Sequence, residues 1–337
     1  MKPLVSILIP AYNAAPLLAA TVKSALAQTW PRKEIIIVDD GSKDSTLTAA
    51  KQFESAEVKV VTQANQGAAA TRNNAFALAQ GDYIQWLDAD DLLSPDKVAL
   101  QMAAAEVAAD PRVLFSSGWA YFRLRPQKAK FEPTLLWENL TPLEWLLRKW
   151  ENNLHMQTAT WLTSRELAVA AGPWNTKLLS DDDGEYFFRV VQASNGIRFI
   201  PSAKVYYRIS GDARLSYIGR SDKKMEAQLA GMELQISYLR GLADDARVRV
   251  TCVKYLQTWL PNFFPARMDL VERAKRLAVQ LGGELHDPEI SWKYVWIQKT
   301  LGWSAAWRAQ IQYNEVKNRA VYHWDKLMFS LEGRKDL

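Results

Sequence analysis

Four short apolar runs, each halted by a polar cluster and each followed by residues at helical spacing, constrain the N-terminal third more than any other feature. Val5–Pro10, Glu34–Val38, Val58–Thr62 and Asp82–Leu87 carry so little polar alternation that both faces of each strand must be buried. Between them lie helix signals. Leu18, Val22, Ala25 and Leu26 share one face of a helix over 17–28, Ser42 or Asp44 caps a second that runs towards Phe53, and Ala68–Ala79 is alanine-rich. A further helix follows Ser94-Pro95, and Val113–Phe122 reads as a fifth strand. Such repetition predicts an α/β fold, a mostly parallel sheet with helices on both faces.

The pattern loosens after residue 125. Pro126, Pro133 and Pro142 punctuate a loop-rich region with a helix over Leu143–Asn152, a strand near Thr158–Thr163, a helix from Ser164 and a strand pair at Ile197–Ile200 and Val205–Ile209. Beyond residue 220 the signals are almost wholly helical. The division expected is therefore 1–125, 126–213 and a helical extension over 214–337. Charge follows the same division: the extension holds 20 Lys+Arg against 14 Asp+Glu, which leaves 22 against 23 in residues 1–213 out of totals of 42 and 37.

Several classes fall away. One cysteine, Cys252, excludes an internal disulfide, suits a reducing compartment, and with three scattered histidines argues against a zinc cage. Leu4–Ile9 is too short for a signal peptide and is broken by Pro10, Tyr12 and Asn13, and no run approaches the roughly 18 apolar residues that span a bilayer. No glycine precedes Gly41, so the first strand–helix turn is not a dinucleotide loop; GxxxxGK[ST] and GxSxG are also missing. The basic excess is spread over the whole extension with no RNA- or DNA-binding motif, which argues against nucleic acid.

The acids are concentrated. Asp39-Asp40 and Asp88-Ala89-Asp90-Asp91 both follow predicted strands, at the edge where open parallel sheets bind ligands. At strand spacing Asp88 and Asp90 point to one side, and a short acidic turn of this kind suits Mg²⁺ or Mn²⁺ bridging phosphate oxygens. A third cluster, Asp181-Asp182-Asp183, sets three like charges side by side and raises at least one pKa. A plain alternative stands beside each reading: acidic turns also cap helices, and first-turn acids favour the helix dipole.

Five ordered blocks combine these features: VSILIPAYN at 5–13, IIVDDGS at 36–42, Asn65-Gln66-Gly67 with Ala70–Asn73, Gly81-Asp82-Tyr83, and LDADD at 87–91. Together they make the first 210 residues or so resemble the family 2 glycosyltransferases, inverting enzymes of GT-A fold that use nucleotide-diphosphate sugars. The resemblance implies that Pro10, Ala11 and Tyr12 line the nucleoside pocket, with Asp39 or Asp40 accepting from base or ribose. It implies Arg72 near base or phosphates, Asp88 on the ribose side and Asp90 on the metal. An arginine six residues after the base then makes Asp183, before Arg189, the general base; Asp182 stands where the family has Glu and is the alternative base. Glu185 and Arg189 are spaced for a helical ion pair. Tyr207-Arg208-Ile209-Ser210 resembles the family's closing segment without the histidine that sometimes follows, so Arg208 would assist the diphosphate. His155 and Trp174 are the candidate acceptor contacts.

The expected reaction moves a sugar, with a UDP-sugar as donor, to a hydroxyl of a glycan or lipid-linked acceptor. A catalytically degenerate sugar-nucleotide-binding module is the alternative, and a nucleotidyltransferase is disfavoured by the missing Gly-rich loop. Trp292, Trp296, Trp303 and Trp307 would share one helix face if Gly302 is tolerated. That stripe either packs the extension onto the rest of the chain or, with Lys293, Lys299 and Arg308, touches the inner face of a membrane. The location expected is cytoplasmic, with peripheral membrane contact left open.

Overall fold

The computed structural model describes residues 2–209 and 221–310, with Gln312, Tyr313, Trp324 and Lys326. Ser210, the start of the extension over 214–220 and most of the chain after 310 lie outside the described residues. The strands are β1 (Val5–Ala11), β2 (Lys33–Asp39), β3 (Val58–Thr62), β4 (Tyr83–Trp86), β5 (Leu92–Leu93), β6 (Val113–Phe122), β7 (Thr163–Ser164) and β8 (Gly196–Arg208). The first sheet has the order β3-β2-β1-β4-β7, parallel except for β7, and its four parallel strands match the expected runs to within one residue at either end. Alternation explains why they read as continuous apolar runs. Leu8, Ile36, Val38, Ile84 and Trp86 enter one core, while Val5, Ile7, Ile9, Ile35 and Ile37 enter another on the opposite face.

The helices are α1 (Ala15–Leu26), α2 (Thr46–Lys51), α3 (Ala68–Leu78), α4 (Lys97–Ala108), α5 (Pro142–Glu151), α6 (Arg165–Ala171), α7 (Asp182–Ala193), α8 (Asp222–Leu242), α9 (Ala246–Trp259), α10 (Met268–Gln280) and α11 (Val295–Leu301), and residues 303–310 are helical as well. The α1, α2 and α4 helices cover one sheet face; α3 and α5 to α10 contribute to the core on the other. Neither expected cap sits at the N-cap of α2, which is Ser45. Asp44 does the work from one residue further out, its Oδ1 accepting the Thr46 N–H at 2.9 Å.

Two strand expectations change. Of the 158–163 segment only Thr163 joins a sheet, with Ser164 as an antiparallel edge on β4, because residues 158–160 form a 3₁₀ turn whose Ala159 N–H is capped by the Gln157 side chain. The pair expected at 197–209 is one strand, β8, parallel to β6 in a second sheet of order β5-β8-β6. Its register slips where Ser117 faces Ile200 but Gly118 faces Lys204. Pro201, with no N–H for the ladder, falls in that slip and makes one strand read as two.

The extension packs onto this body through one continuous core. Trp150 of α5 stacks on Tyr255 of α9 at 4.1 Å, and Arg247 bridges Glu144 and Glu151 on α5. The tryptophan stripe does not form one helix face, because Gly302 has φ +82 and ends α11. Trp303 turns inward, against Phe264 and Trp307, whereas Trp292 and Trp296 are 80% and 65% exposed. No helix among the described residues is long and apolar enough to cross a membrane.

Candidate active site

The loops after β1, β2 and β4 emerge at one edge, with β1 in the middle. Ala11, at the end of β1, is paired with Asp39 at the end of β2 and its carbonyl accepts the Asp40 N–H. Asn13, in the left-handed region at φ 48, ties the two loops: its N–H donates to Ser42 Oγ and its Oδ1 accepts from Lys43 N–H. Beside that tie Pro10 is half-buried, Ala11 buried and Tyr12 exposed. Gly41 is required here, since its φ is +67 and a Cβ would fall 2.9 Å from Asn65 N.

Asp39 and Asp40, both buried, behave differently. Asp40 Oδ1 accepts from Gln63 Nε2 and Gln66 N–H, and Oδ2 from Asn65 Nδ2 and Gly67 N–H, at 2.8 to 3.1 Å. Four donors fill a carboxylate's acceptor capacity, so Asp40 braces the 63–67 loop and leaves nothing for a base or ribose. Asp39 Oδ2 accepts from Thr62 Oγ1 at 2.9 Å and Ser42 N–H at 3.4 Å, but its Oδ1 is buried with no hydrogen-bond partner. An orphaned buried carboxylate oxygen at a ligand-binding edge marks a site that wants a donor.

Arg72 on α3 is the hub of the crevice. Its Nη2 donates to Asp88 Oδ1 at 2.9 Å and its Nη1 to Asp182 Oδ2 at 2.8 Å, while the guanidinium lies 4.4 Å over the Trp174 ring. Burial lowers an arginine's pKa, but the charges of Asp182 and Asp88, with Asp183 nearby, more than offset it and hold the guanidinium protonated. Trp174 is buried between Arg72 and Tyr186, on which it stacks at 4.0 Å. It therefore has no open face for an acceptor, and that expectation gives way to a platform under Arg72. Asp182 is committed to the same pair. Burial, opposed by Arg72 and reinforced by Asp183 and Asp88, raises its pKa.

The 88–91 turn is held from β8. Asp91, fully buried, accepts from Arg208 N–H at 2.8 Å and from Gln157 Nε2. Burial, with Asp90 and Asp88 adding, pushes its carboxyl well above the usual range. Arg208 spends two nitrogens internally: Nε donates to the Asp90 carbonyl and Nη1 to that of Arg123, over the Phe122 ring. Among the described residues no three His, Cys, Asp or Glu side chains gather into a metal cage. Such a donor set fits only a cation that keeps water and phosphate oxygens in most of its positions.

The third acidic run is held from the extension. Asp181 takes the left-handed conformation at φ 53, with its Oδ2 accepting from Gln235 Nε2 of α8 at 2.8 Å; Gln235 Oε1 in turn accepts from Tyr255 OH at 3.4 Å. Burial, opposed by Lys149 and reinforced by Asp183, pushes Asp181 up to about 6. Gly184 packs so tightly that a Cβ there would lie 2.0 Å from Asp181 Oδ1. Two more bonds join α8 to this loop, Ser180 Oγ to Gln228 and Tyr238 OH to Glu185, and Glu185 also forms the expected pair with Arg189 at 2.8 Å. Asp183 is half-buried, its Oδ1 accepting from Gly184 N–H at 2.9 Å and its Oδ2 from Thr158 Oγ1 at 3.3 Å. His155 lies close enough to feel Asp183's charge. Though exposed, it is crowded by aromatic neighbours, and the resulting desolvation lowers its pKa against the pull of that carboxylate.

Gln157, Thr158, Gln228, Gln235 and Tyr238 were not among the expected site residues. The one available signal was two glutamines, Gln228 and Gln235, seven apart and buried in an otherwise apolar helix stripe.

Comparison with known proteins places this geometry. The family model described as glycosyl transferase family 2 matches residues 6–168. The putative teichuronic acid biosynthesis glycosyltransferase TuaG of Bacillus subtilis is 43% identical over 104 residues, covering 30% of this chain and 41% of TuaG. Chondroitin synthase of Escherichia coli is 44% identical over 100 residues, 29% of this chain and 15% of that protein. The E. coli UDP-Glc:alpha-D-GlcNAc-diphosphoundecaprenol beta-1,3-glucosyltransferase WfgD is 37% identical over 101 residues, 30% of this chain and 40% of WfgD. The chain thus spans less than half the length of these relatives. The crystal structure of S. aureus TarS 1–349 in complex with UDP-GlcNAc superposes with a TM-score of 0.64 at 18% identity, over 82% of this chain and 81% of that one.

Proposed function

Because the chain belongs to glycosyl transferase family 2 through its residues 6–168, in a GT-A fold with a helical C-terminal region, we propose that it is an inverting glycosyltransferase using a UDP-sugar. One observation carries the reading. Of the three acids at 181–183, Asp181 is tied to Gln235 and Asp182 to the charged Arg72, whereas Asp183 has only the adjacent Gly184 N–H and a 3.3 Å bond from Thr158, which favours it as the base.

Asp183 takes the proton of the acceptor hydroxyl as the oxygen attacks the anomeric carbon from the face opposite the diphosphate. The bond from anomeric carbon to diphosphate oxygen breaks in the same displacement, its electron pair leaves with UDP, and the configuration inverts. Asp39 Oδ1 accepts the imide N–H of uracil beside Pro10, Ala11 and Tyr12. Arg72 holds Asp88 on the ribose side, and Arg208 holds the 88–91 turn. Asp90 would hold Mg²⁺ or Mn²⁺ together with diphosphate oxygens and water, and when bound that ion neutralises charge on the leaving group. In this reading residues 1–125 bind the donor, 126–213 the acceptor, a glycan or lipid-linked sugar, and 214–337 brace the site.

The same reading sets the protein at the cytoplasmic face of a membrane. Trp292, Trp296 and Leu301, all exposed, with Lys293 and Lys299 alongside, have the composition of an interfacial contact with anionic lipid.

Isothermal titration tests the donor assignment. UDP binds the wild-type protein, and Asp39→Asn, which removes the charge from that hydrogen bond, weakens it about tenfold. Unchanged affinity would contradict the assignment of Asp39. UDP binding without turnover on any donor or acceptor would favour the degenerate module.

A further inference from the structure

We propose that Trp119, Tyr121, Tyr207 and His155 form a subsite that takes a pyranose ring of the acceptor face-on beside Asp183, an assignment that rests on the glycosyltransferase reading above. The two sheet strands build it. Tyr121 of β6 pairs directly with Tyr207 of β8 in a parallel ladder, so both side chains leave the sheet on one face, and Trp119, two residues before Tyr121, shares that face. The rings touch: Trp119 meets Tyr121 edge-on at 4.9 Å, and Tyr121 and Tyr207 lie tilted at 5.3 Å. His155 closes the group from a loop, edge-on to Trp119 at 5.3 Å and stacked over Tyr207 at 6.0 Å.

Position ties this surface to the reaction. The short segment that carries His155 is fastened at both ends of the chemistry, since Gln157 donates to Asp91 of the 88–91 turn and Thr158 Oγ1 donates to Asp183. Tyr207 precedes Arg208, whose N–H holds Asp91. A ring resting here is flanked by the base on one side and the diphosphate end of the donor on the other. The nucleoside cannot be the occupant, because its pocket lies at the ends of β1 and β2.

The chemistry selects a sugar. The aromatic group beneath Arg72, Trp174 with Tyr186, is sealed in the core, but Tyr121 is 49% exposed and His155 is exposed beside it. Aromatic faces present negative charge to the axial C–H groups on a pyranose face, while phenol hydroxyls and an imidazole serve the equatorial hydroxyls at its rim. Desolvation holds His155 in the neutral form, which both donates and accepts. A lipid tail has no group to pair with that imidazole.

Saturation-transfer NMR tests this without knowledge of the natural acceptor. The probes are methyl β-glycosides of glucose, galactose, N-acetylglucosamine, N-acetylgalactosamine and mannose, each offered with and without UDP. Transfer to the ring protons of at least one glycoside is expected with the wild-type protein. Tyr121→Ala should weaken that glycoside about tenfold, the loss usual for an exposed aromatic anchor, while Tyr121→Phe keeps the stacking face and most of the binding. No transfer to any of the five, or equal transfer in wild type and Tyr121→Ala, overturns the subsite. The UDP titration fails or succeeds separately. Glycoside binding without UDP binding would sink the donor reading and leave the platform standing.

Discussion

Adjacent carboxylates occur three times at this crevice, and the clusters at 39–40 and 181–183 are quieted by different means. Asp40 is satisfied by four donors from the 63–67 loop, a neighbour in the same sheet edge. Asp181 and Asp182 are satisfied by Gln235 and Arg72, from helices 54 and 110 residues away in the chain. One acid in each case is held less firmly: Asp39 has an orphaned Oδ1, and Asp183 has only its neighbour's N–H and a 3.3 Å bond from Thr158. Like charges are tolerated side by side when each has partners of its own, and the acids held least firmly are the ones the proposed function uses. The first cluster is assembled locally, whereas the second draws its partners from α3 and from α8 of the extension.

Breaking the long-range cluster should cost most. Arg72→Met strands Asp182 and Asp88 at once and is expected to lower unfolding free energy by about 3 to 5 kcal/mol in urea titration. The double variant Arg72→Met/Asp182→Asn should recover part of that loss. Strict additivity would mean the ion pair does not exist as described. Breaking the local cluster comes next: Asp40→Ala leaves the Gln66 and Gly67 N–H groups without their acceptor, for about 2 to 4 kcal/mol by the same titration. A loss below about 0.5 kcal/mol would show that the loop finds other partners.

A smaller effect separates the clusters by pH. The folded pKa of Asp181, about 6, lies above the ordinary value of 3.8, so the folded chain binds this proton more tightly than the unfolded one. Its contribution to stability is full below the unfolded value and is lost as pH rises through 6. Asp181→Asn removes that loss and keeps a residue at home in the left-handed region. The variant should therefore gain on the wild type by about 2 kcal/mol between pH 4 and pH 7. Parallel stability curves would contradict the buried acid. Smallest of all, Tyr255→Phe removes one long hydrogen bond to Gln235 and should cost about 0.5 kcal/mol in Tm-derived stability; a loss several times larger would make that contact a principal prop of the loop.

The same distinction explains what could be read from the sequence. The sheet was legible because strands buried on both faces leave continuous apolar runs, and the acids at their ends were legible because they follow those runs directly. Choosing between Asp39 and Asp40 was not, since adjacent residues on one turn differ only in what faces them. The family resemblance implied Asp183 over Asp182, but what sets Asp182 apart in the structure, its bond to Arg72 on a helix 110 residues earlier, is a tertiary fact. Trp174 shows the converse failure. An aromatic residue in a glycine- and proline-flanked loop reads like a sugar platform, yet it is buried beneath Arg72, while Tyr121, set in what looked like ordinary strand sequence, is 49% exposed. The tryptophan stripe failed on one residue, because Gly302 ends the helix that periodicity alone would continue.

Release of UDP from a UDP-sugar is the most direct test of Asp183 as the base, measured alongside UDP affinity in the same samples. Asp183→Asn should lower turnover by about 10²- to 10⁴-fold, the usual contribution of a general base, with UDP binding as tight as in the wild type. Turnover within a few-fold of the wild type would contradict the account, and loss of turnover in Asp182→Asn with Asp183→Asn active would move the base to the residue that Arg72 holds.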